Sequence, residues 1–199
     1  MYRNNKIVGN NNFTFKNTEK NKLVINSETF FKLEIFGIKI YNYQSKGQEV
    51  YYKNKLSSYN SETIQNNKKK FCNKKKNSDN QYIIKGSSYN GKNSSNFIIG
   101  NFWNHDFINF NKHIKPSSCR MIEQKVKFEG KEELKMNNKK YSTLKFVLFS
   151  DDKSLSKDKN FKMTMWYDEI NLILLKVLYN KFGRWEYRLK LYNQNYIYF

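Results

Sequence analysis

Hydrophobic and polar residues alternate with a period of two along most of this 199-residue chain, and β-branched and aromatic side chains fill the alternating positions. Successive side chains on a strand point to opposite faces, so this period predicts strands with one face turned to a core. The clearest early segments are Leu23–Ile35, Ile38–Lys46, Glu49–Tyr52 and Leu56–Thr63, with "KNK" at 53–55 as a hairpin loop. Farther along, Ile122–Glu129, Lys131–Met136 and Tyr141–Phe149 alternate cleanly and are joined by Gly130 and by "NNKK", which predicts a meander. The stretch "FKMTMWYDEINLILLKVLYNKFGRWEYRLKLYNQNYIYF" adds three closing strands, with "DEIN" and "NKFG" as turns. Leu172–Leu178 has the length of one strand and β-branched and aromatic flanks, which favour strand over a short helix. At the start, "YRNNKIVGNNNFTF" predicts a strand end, an Asn-Asn turn and a returning strand, because Asn tolerates the positive φ of tight hairpins. "YNGKNSSN" and "DDKSLSKDKN" predict polar loops.

Composition changes this picture little but narrows it. An aromatic share of 17% argues for a folded chain. The length suits one domain over residues 1–199, with no interdomain linker. No apolar run reaches the ~20 residues of a membrane-spanning helix. Lys plus Arg is 37 against 17 for Asp plus Glu, a formal charge of +20. Such a charge suggests an anionic partner. Only four of those basic residues are arginine (Arg3, Arg120, Arg184, Arg188), and lysine lacks the planar fork that reads phosphates and bases. Nucleic acid is therefore disfavoured. The chain also has no alanine and a surplus of Asn, Lys, Ile, Tyr and Phe, the residues that AT-rich codons supply.

The one true charge cluster is "NKKKFCNKKKNSDN", Asn67 to Asn80. It reads as a solvated hairpin with a Phe71–Cys72 strand fragment, or as an anion contact through Lys68, Lys69, Lys70, Lys74, Lys75 and Lys76. Cys72 and Cys119 do not form a metal set or a redox CxxC, and their spacing does not decide whether they pair. "GNFWNHDFINF", Gly100 to Phe110, holds His105 beside Asp106. Adjacent residues of an extended segment point apart, which disfavours an acid-base pair. Trp103 is expected to plug the interior at a corner where the Asn104 amide bonds to backbone. No phosphate loop, dinucleotide fingerprint, nucleophile elbow or metal-ligand spacing is present, so no catalytic residue, cofactor or metal is expected.

Several of these stretches, taken in order, resemble one family. "NNKIVGNNNFTF", "LEIFGIKIYNYQSKGQEVYYKNKLSSYNSET", "GNFWNHDFI", "FEGKEELKMNNKKYSTLKFVL" and "MWYDEINLILLKVLYNKFGRWEYRL" are similar to successive motifs of a family of secreted bacterial proteins known as domain of unknown function 6134 (DUF6134). The resemblance implies an antiparallel β domain of about ten strands, export through the inner membrane, and no established activity. Family members begin with a signal peptide and the first half of the opening hairpin, and this chain is expected to lack both. Its basic charge also exceeds what the family leads one to expect.

The expected fold is all-β: a strongly curved antiparallel meander sheet of about ten strands, forming a clam or half-open barrel. The leading functional expectation is a non-enzymatic periplasmic or secreted protein. It would hold a lipid or other apolar ligand against Phe31, Tyr41, Tyr43, Tyr51, Trp103, Trp166 and Trp185, with an anionic membrane surface as a further partner. The alternative is a basic binder of nucleic acid or anionic polymer through Lys68–Lys76. An enzyme using His105 and Asp106 is the third reading.

Overall fold

The computed structural model describes residues 1–79, 81–93, 97–150, 160–180 and 183–190. In chain order its strands are β1 (Tyr2–Arg3), β2 (Lys6–Ile7), β3 (Gly9–Glu19), β4 (Lys22–Ile35), β5 (Ile38–Tyr52), β6 (Lys55–Gln65), β7 (Lys68–Lys76), β8 (Tyr82–Gly86) and β9 (Asn90–Asn93). After these come β10 (Ile98–Ile99), a 3-10 helix over His105–Asn109, β11 (Lys112–Ile114) and β12 (Met121–Glu123). The series closes with β13 (Lys125–Met136), β14 (Lys139–Phe149), β15 (Lys162–Asp168), β16 (Leu174–Asn180) and β17 (Arg184–Arg188). The protein is all-β and antiparallel, as its alternation predicts. Seventeen strands are described rather than about ten, because short pairings such as β1, β2 and β9 leave no periodic trace.

Two compact units emerge. The first gathers the described residues of Met1–Ile7, Ile98–His113 and 122–190; the second gathers those of Val8–Phe97 and Ile114–Met121. In the first, the sheet order is β13-β14-β15-β16-β17-β1-β2; in the second it is β3-β4-β5-β6-β7-β8-β9, a pure meander. Neither sheet closes into a barrel. A small sheet, β10-β11-β12, completes the strands.

Four local expectations need correction. Ile38–Lys46 and Glu49–Tyr52 form one strand, β5, that runs through Gly47. A Cβ at Gly47 would lie 2.8 Å from the Ser27 Oγ and 3.2 Å from the Tyr59 Oη, so the glycine serves close packing, not a turn. Gly130 is likewise no turn: it sits at φ +110 beside a bulge in β13, where the register with β14 shifts. The lysine-rich tract from Lys68 to Lys76 is a full strand, not a fragment in a loop, and Asn90–Asn93 of "YNGKNSSN" is a strand as well. "DDKSLSKDKN" falls almost wholly outside the described residues, as does "YNQNYIYF".

The first unit has an apolar core cluster. Ile98, Phe107, Leu148, Met165, Tyr167 and Val177 are buried together, with Phe146, Met163 and Tyr187 packed against them. Phe107, not Trp103, is the plug of the corner: it is 1% exposed, whereas Trp103 is only half-buried. The Asn104 side chain accepts from the Asp106 N–H (2.9 Å) and caps the 3-10 turn, the backbone bond expected of it.

Candidate functional site

On the second unit's sheet, register brings five small residues into one cross-strand row: Ser27, Gly47, Ser61, Cys72 and Gly86. The row leaves a trough in which residues 114–120 lie. The Pro116 carbonyl accepts from the Tyr59 hydroxyl (3.2 Å) and the Ser61 hydroxyl (2.5 Å), and the Ser88 N–H donates to the Ser118 carbonyl (2.9 Å). Cys72 and Cys119 are joined in a disulfide, with Cα atoms 4.8 Å apart. A Cβ at Gly86 would stand 2.4 Å from the Cys119 Cβ, so this strand position admits only glycine while the cross-link lies over it.

The next row reads Ile25, Glu49, Tyr59, Lys74 and Ile84. Glu49 and Lys74, 2% and 0% exposed, therefore flank the buried Tyr59. The Lys74 ammonium donates to the Phe97 carbonyl (2.6 Å) and sits 4.0 Å from the centroid of the Tyr82 ring. Glu49 accepts from the Tyr51 hydroxyl (2.7 Å). Burial pushes the Lys74 ammonium down to about 7, against the opposing pull of Glu49's charge. Burial raises the hydroxyls of Tyr59 and Tyr82.

Alternation along β7 splits the six candidate anion-binding lysines. Lys69 and Lys75 lie exposed on the outward face; on the inward face Lys68, at the strand's end, is exposed, Lys70 and Lys76 are half-buried, and Lys74 is inside. Lys70 is turned to the Gln65 side-chain oxygen (2.6 Å). Lys74 thus has no place in an anion-binding surface.

The seven candidate ligand-binding aromatics also divide. Phe31, Tyr41 and Tyr43 come together, with Phe31 stacked on both tyrosines at centroid distances of 5.4 and 4.9 Å. Burial pushes the Tyr41 hydroxyl up to about 12. Tyr51 shares their face but is buried and bonded to Glu49. The three tryptophans belong to the first unit. Trp166 is buried on the face opposite the adjacent core residue Met165. Its indole N–H donates to Glu132, and Lys145 and Lys176 lie 5.6 and 5.1 Å from its centroid. Trp185, half-buried, lies opposite Tyr179 and has the Arg3 guanidinium 5.7 Å from its ring. His105 and Asp106 touch at 3.5 Å with both side chains about half exposed.

A second charged group was not singled out from sequence. Glu186, 2% exposed, is clamped by Arg184 and Arg188 at 2.6 Å each, and Arg188 covers the Tyr2 ring at 4.5 Å. Burial pushes this carboxyl up, but the Arg188 bond, the Lys176 charge and the Arg184 bond outweigh it and hold it below its ordinary range. The spacing Arg-x-Glu-x-Arg was the available sign, since period two puts all three on one face. Pairing of β17 with β1 at Tyr2↔Glu186 makes this a fastener of the first sheet.

Fold and site together define an all-β antiparallel protein with a disulfide-closed second unit. The family model described as Domain of unknown function (DUF6134) matches residues 1–190, so the chain belongs to that family. No curated protein and no solved structure matches it.

Proposed function

We propose that this is an exported, non-enzymatic protein of the cell envelope that binds an anionic surface through the exposed lysines of β7, Lys69 and Lys75 on its outward face and Lys68 at its end. The observation that carries the reading is the exposure of Lys68, Lys69 and Lys75 on a strand anchored from beneath by Cys72 and Lys74. A rigid strand holds these charges at fixed spacing, which a solvated loop would not. Export is supported by the Cys72–Cys119 disulfide, since such bonds persist mainly in oxidising compartments. The non-enzymatic reading is supported by the exposure of His105 and Asp106, which leaves that pair in a high-dielectric setting. The test is binding to immobilised dextran sulfate across a salt series. Affinity should fall steeply with salt, and more shallowly once Lys68, Lys69 and Lys75 are all replaced by Gln. Binding indifferent to salt, or to the triple replacement, overturns the reading.

A second reading rests on the half-buried stack of Phe31, Tyr41 and Tyr43, as the seat of a lipid or other apolar molecule. Native mass spectrometry of the purified protein tests it. A co-purifying lipid favours this reading, and a bare mass counts against it.

A further inference from the structure

The β4–β5 hairpin runs past both of its neighbours. On one side β3 pairs with β4 only as far as Gly9 opposite Phe31, with one further bond from the Lys32 N–H to the Val8 carbonyl (2.9 Å). On the other, β6 ends at Gln65 opposite Tyr43. The turn after it is fastened to Asn42 by the Asn66 N–H on the Asn42 carbonyl (3.0 Å) and the Asn42 N–H on the Asn66 Oδ1 (2.8 Å). Past these points Glu34 pairs with Lys39 and Ile35 with Ile38, and the hairpin continues as a two-stranded ribbon. Three residues from Leu33 to Phe36 give it a reach of roughly 10 Å.

The tip of this finger differs from the other two-residue turns, although the longer turn before β16 also holds an apolar residue, Leu172, at positive φ. Among the described residues, Asn4–Asn5, Lys53–Asn54, Asn66–Asn67 and Asn137–Asn138 each place two polar residues at positive φ. The finger places Phe36 at φ +50 and Gly37 at φ +76. A bulky aromatic is a poor occupant of the left-handed region. Phe36 is also 100% exposed, and Ile38 and Ile40 are 66% and 51% exposed. In water this tip is unfavourable both in backbone and in solvation. The base composition that fills the other turns with Asn would supply Asn here as readily.

The finger and its base are basic on balance: Glu34, paired with Lys32 and opposite Lys39, is the one carboxylate among Lys32, Lys39, Lys68 and Lys69. Lys39 is exposed on the finger itself, and Lys68, opposite Gln65, and Lys69, opposite Ile64, are exposed at the neighbouring turn. Tyr41 and Tyr43, half-buried, stand at the root. Three apolar side chains fall well short of the ~800 Å² per partner of a stable protein interface. They suffice for a wedge of ~5–10 Å into the headgroup and acyl boundary of a bilayer, where basic residues meet anionic lipid and tyrosine rings favour the interface. We propose that the finger is a membrane-insertion element that wedges Phe36, Ile38 and Ile40 into an anionic bilayer while Lys39, Lys68 and Lys69 meet the headgroups. This rests on the anionic-surface reading above and gives it a definite partner.

The discriminating variant is Phe36→Asn. It installs Asn-Gly, the favoured pair for a two-residue hairpin turn, so it removes the apolar tip while relieving the backbone. Sedimentation with vesicles of equal phosphatidylglycerol and phosphatidylcholine, at low and high salt, is the assay. The intact protein should bind, with a fraction of the binding resistant to salt. Phe36→Asn should bind about tenfold or more weakly and lose the resistant fraction, as expected for withdrawing one aromatic side chain from an apolar phase. Equal binding by both proteins at both salts overturns the finger and leaves the lysine surface standing. Failure of the intact protein to bind vesicles while it still binds dextran sulfate does the same. Failure to bind either probe overturns both proposals.

Discussion

The two units solve the same problem with different materials. The first packs Ile98, Phe107, Leu148, Met165, Tyr167 and Val177 into one apolar cluster and buries the Glu186 carboxylate beneath two arginines. The second buries Ile25, Leu33, Leu56 and Ile84, but also Glu49, Ser61, Thr63 and Lys74, and closes with a disulfide. An apolar cluster is held by area removed from water and is nearly indifferent to pH and redox state. Each unit's buried charge adds its own pH dependence, Glu186 on the acid side and Lys74 near neutrality, and the second unit's cross-link adds a dependence on redox state. The second unit is thus the one whose stability should follow redox state and pH near neutrality, while the first should respond to acid through Glu186.

The largest expected effect breaks the first unit's apolar cluster. Phe107→Ala removes a fully buried ring and should cost about 3–5 kcal/mol. Trp103→Ala, at a half-buried position on the same corner, should cost below about 2 kcal/mol. Denaturant titration followed by tryptophan emission makes the measurement. Trp166 and Trp185 remain in the Trp103 variant, and the second unit's described segments contain no tryptophan. Equal costs at the two positions would return Trp103 to the role of plug.

Next comes the cross-link. It spans 47 residues of sequence, and the chain-entropy model gives about 4 kcal/mol for closing such a loop. The Cys72→Ser, Cys119→Ser double variant should unfold at a correspondingly lower denaturant concentration by far-ultraviolet circular dichroism. Dithiothreitol should reproduce the loss in the intact protein. A change under about 1 kcal/mol in both would mean that the trough residues hold segment 114–120 without the bond. The Tyr59 and Ser61 bonds to the Pro116 carbonyl would then be the fastening.

What was legible in the sequence follows this division. Strands with apolar inward positions, such as Leu23–Ile35 and Tyr141–Phe149, announced themselves, as did the turns at Asn4–Asn5 and Asn137–Asn138. The strand β7 did not, because its inward positions carry Cys72 and Lys74, and one buried lysine is indistinguishable from its neighbours in a run of lysines. Gly47 and Gly130 looked like breaks because closeness to Tyr59, or a bulge, is a property of pairing and not of local sequence. The finger was hidden for a related reason. Leu23–Ile35 and Ile38–Lys46 marked the hairpin, but its projection is set by where β3 and β6 stop.

The smallest effect sharpens the comparison through pH. Lys74, at about 7 in the folded protein, regains its ordinary value near 10.5 on unfolding. Below pH ~7 both states hold the proton, and the cost of a buried charge is fully present. Above it the folded state sheds the proton while the unfolded chain keeps it, so the unfolded state binds more protons and stability rises toward pH ~10.5. Between about pH 6 and about pH 8 the gain should be about 1.4 kcal/mol. The groups facing Lys74 are Glu49 on β5, Tyr59 on β6 and Tyr82 on β8. Burial moves both tyrosine hydroxyls upward, away from this window. Lys74→Met keeps a long, flexible side chain and removes the titration; because it also takes a cation from buried Glu49, the comparison is made in a Glu49→Gln background, where the difference in slope belongs to Lys74. Parallel curves for the two proteins across that window would show that Lys74 keeps its proton in the fold. Attraction to Glu49 in the intact protein would only hold it more firmly, and the second unit's core would contain a fully ionised pair.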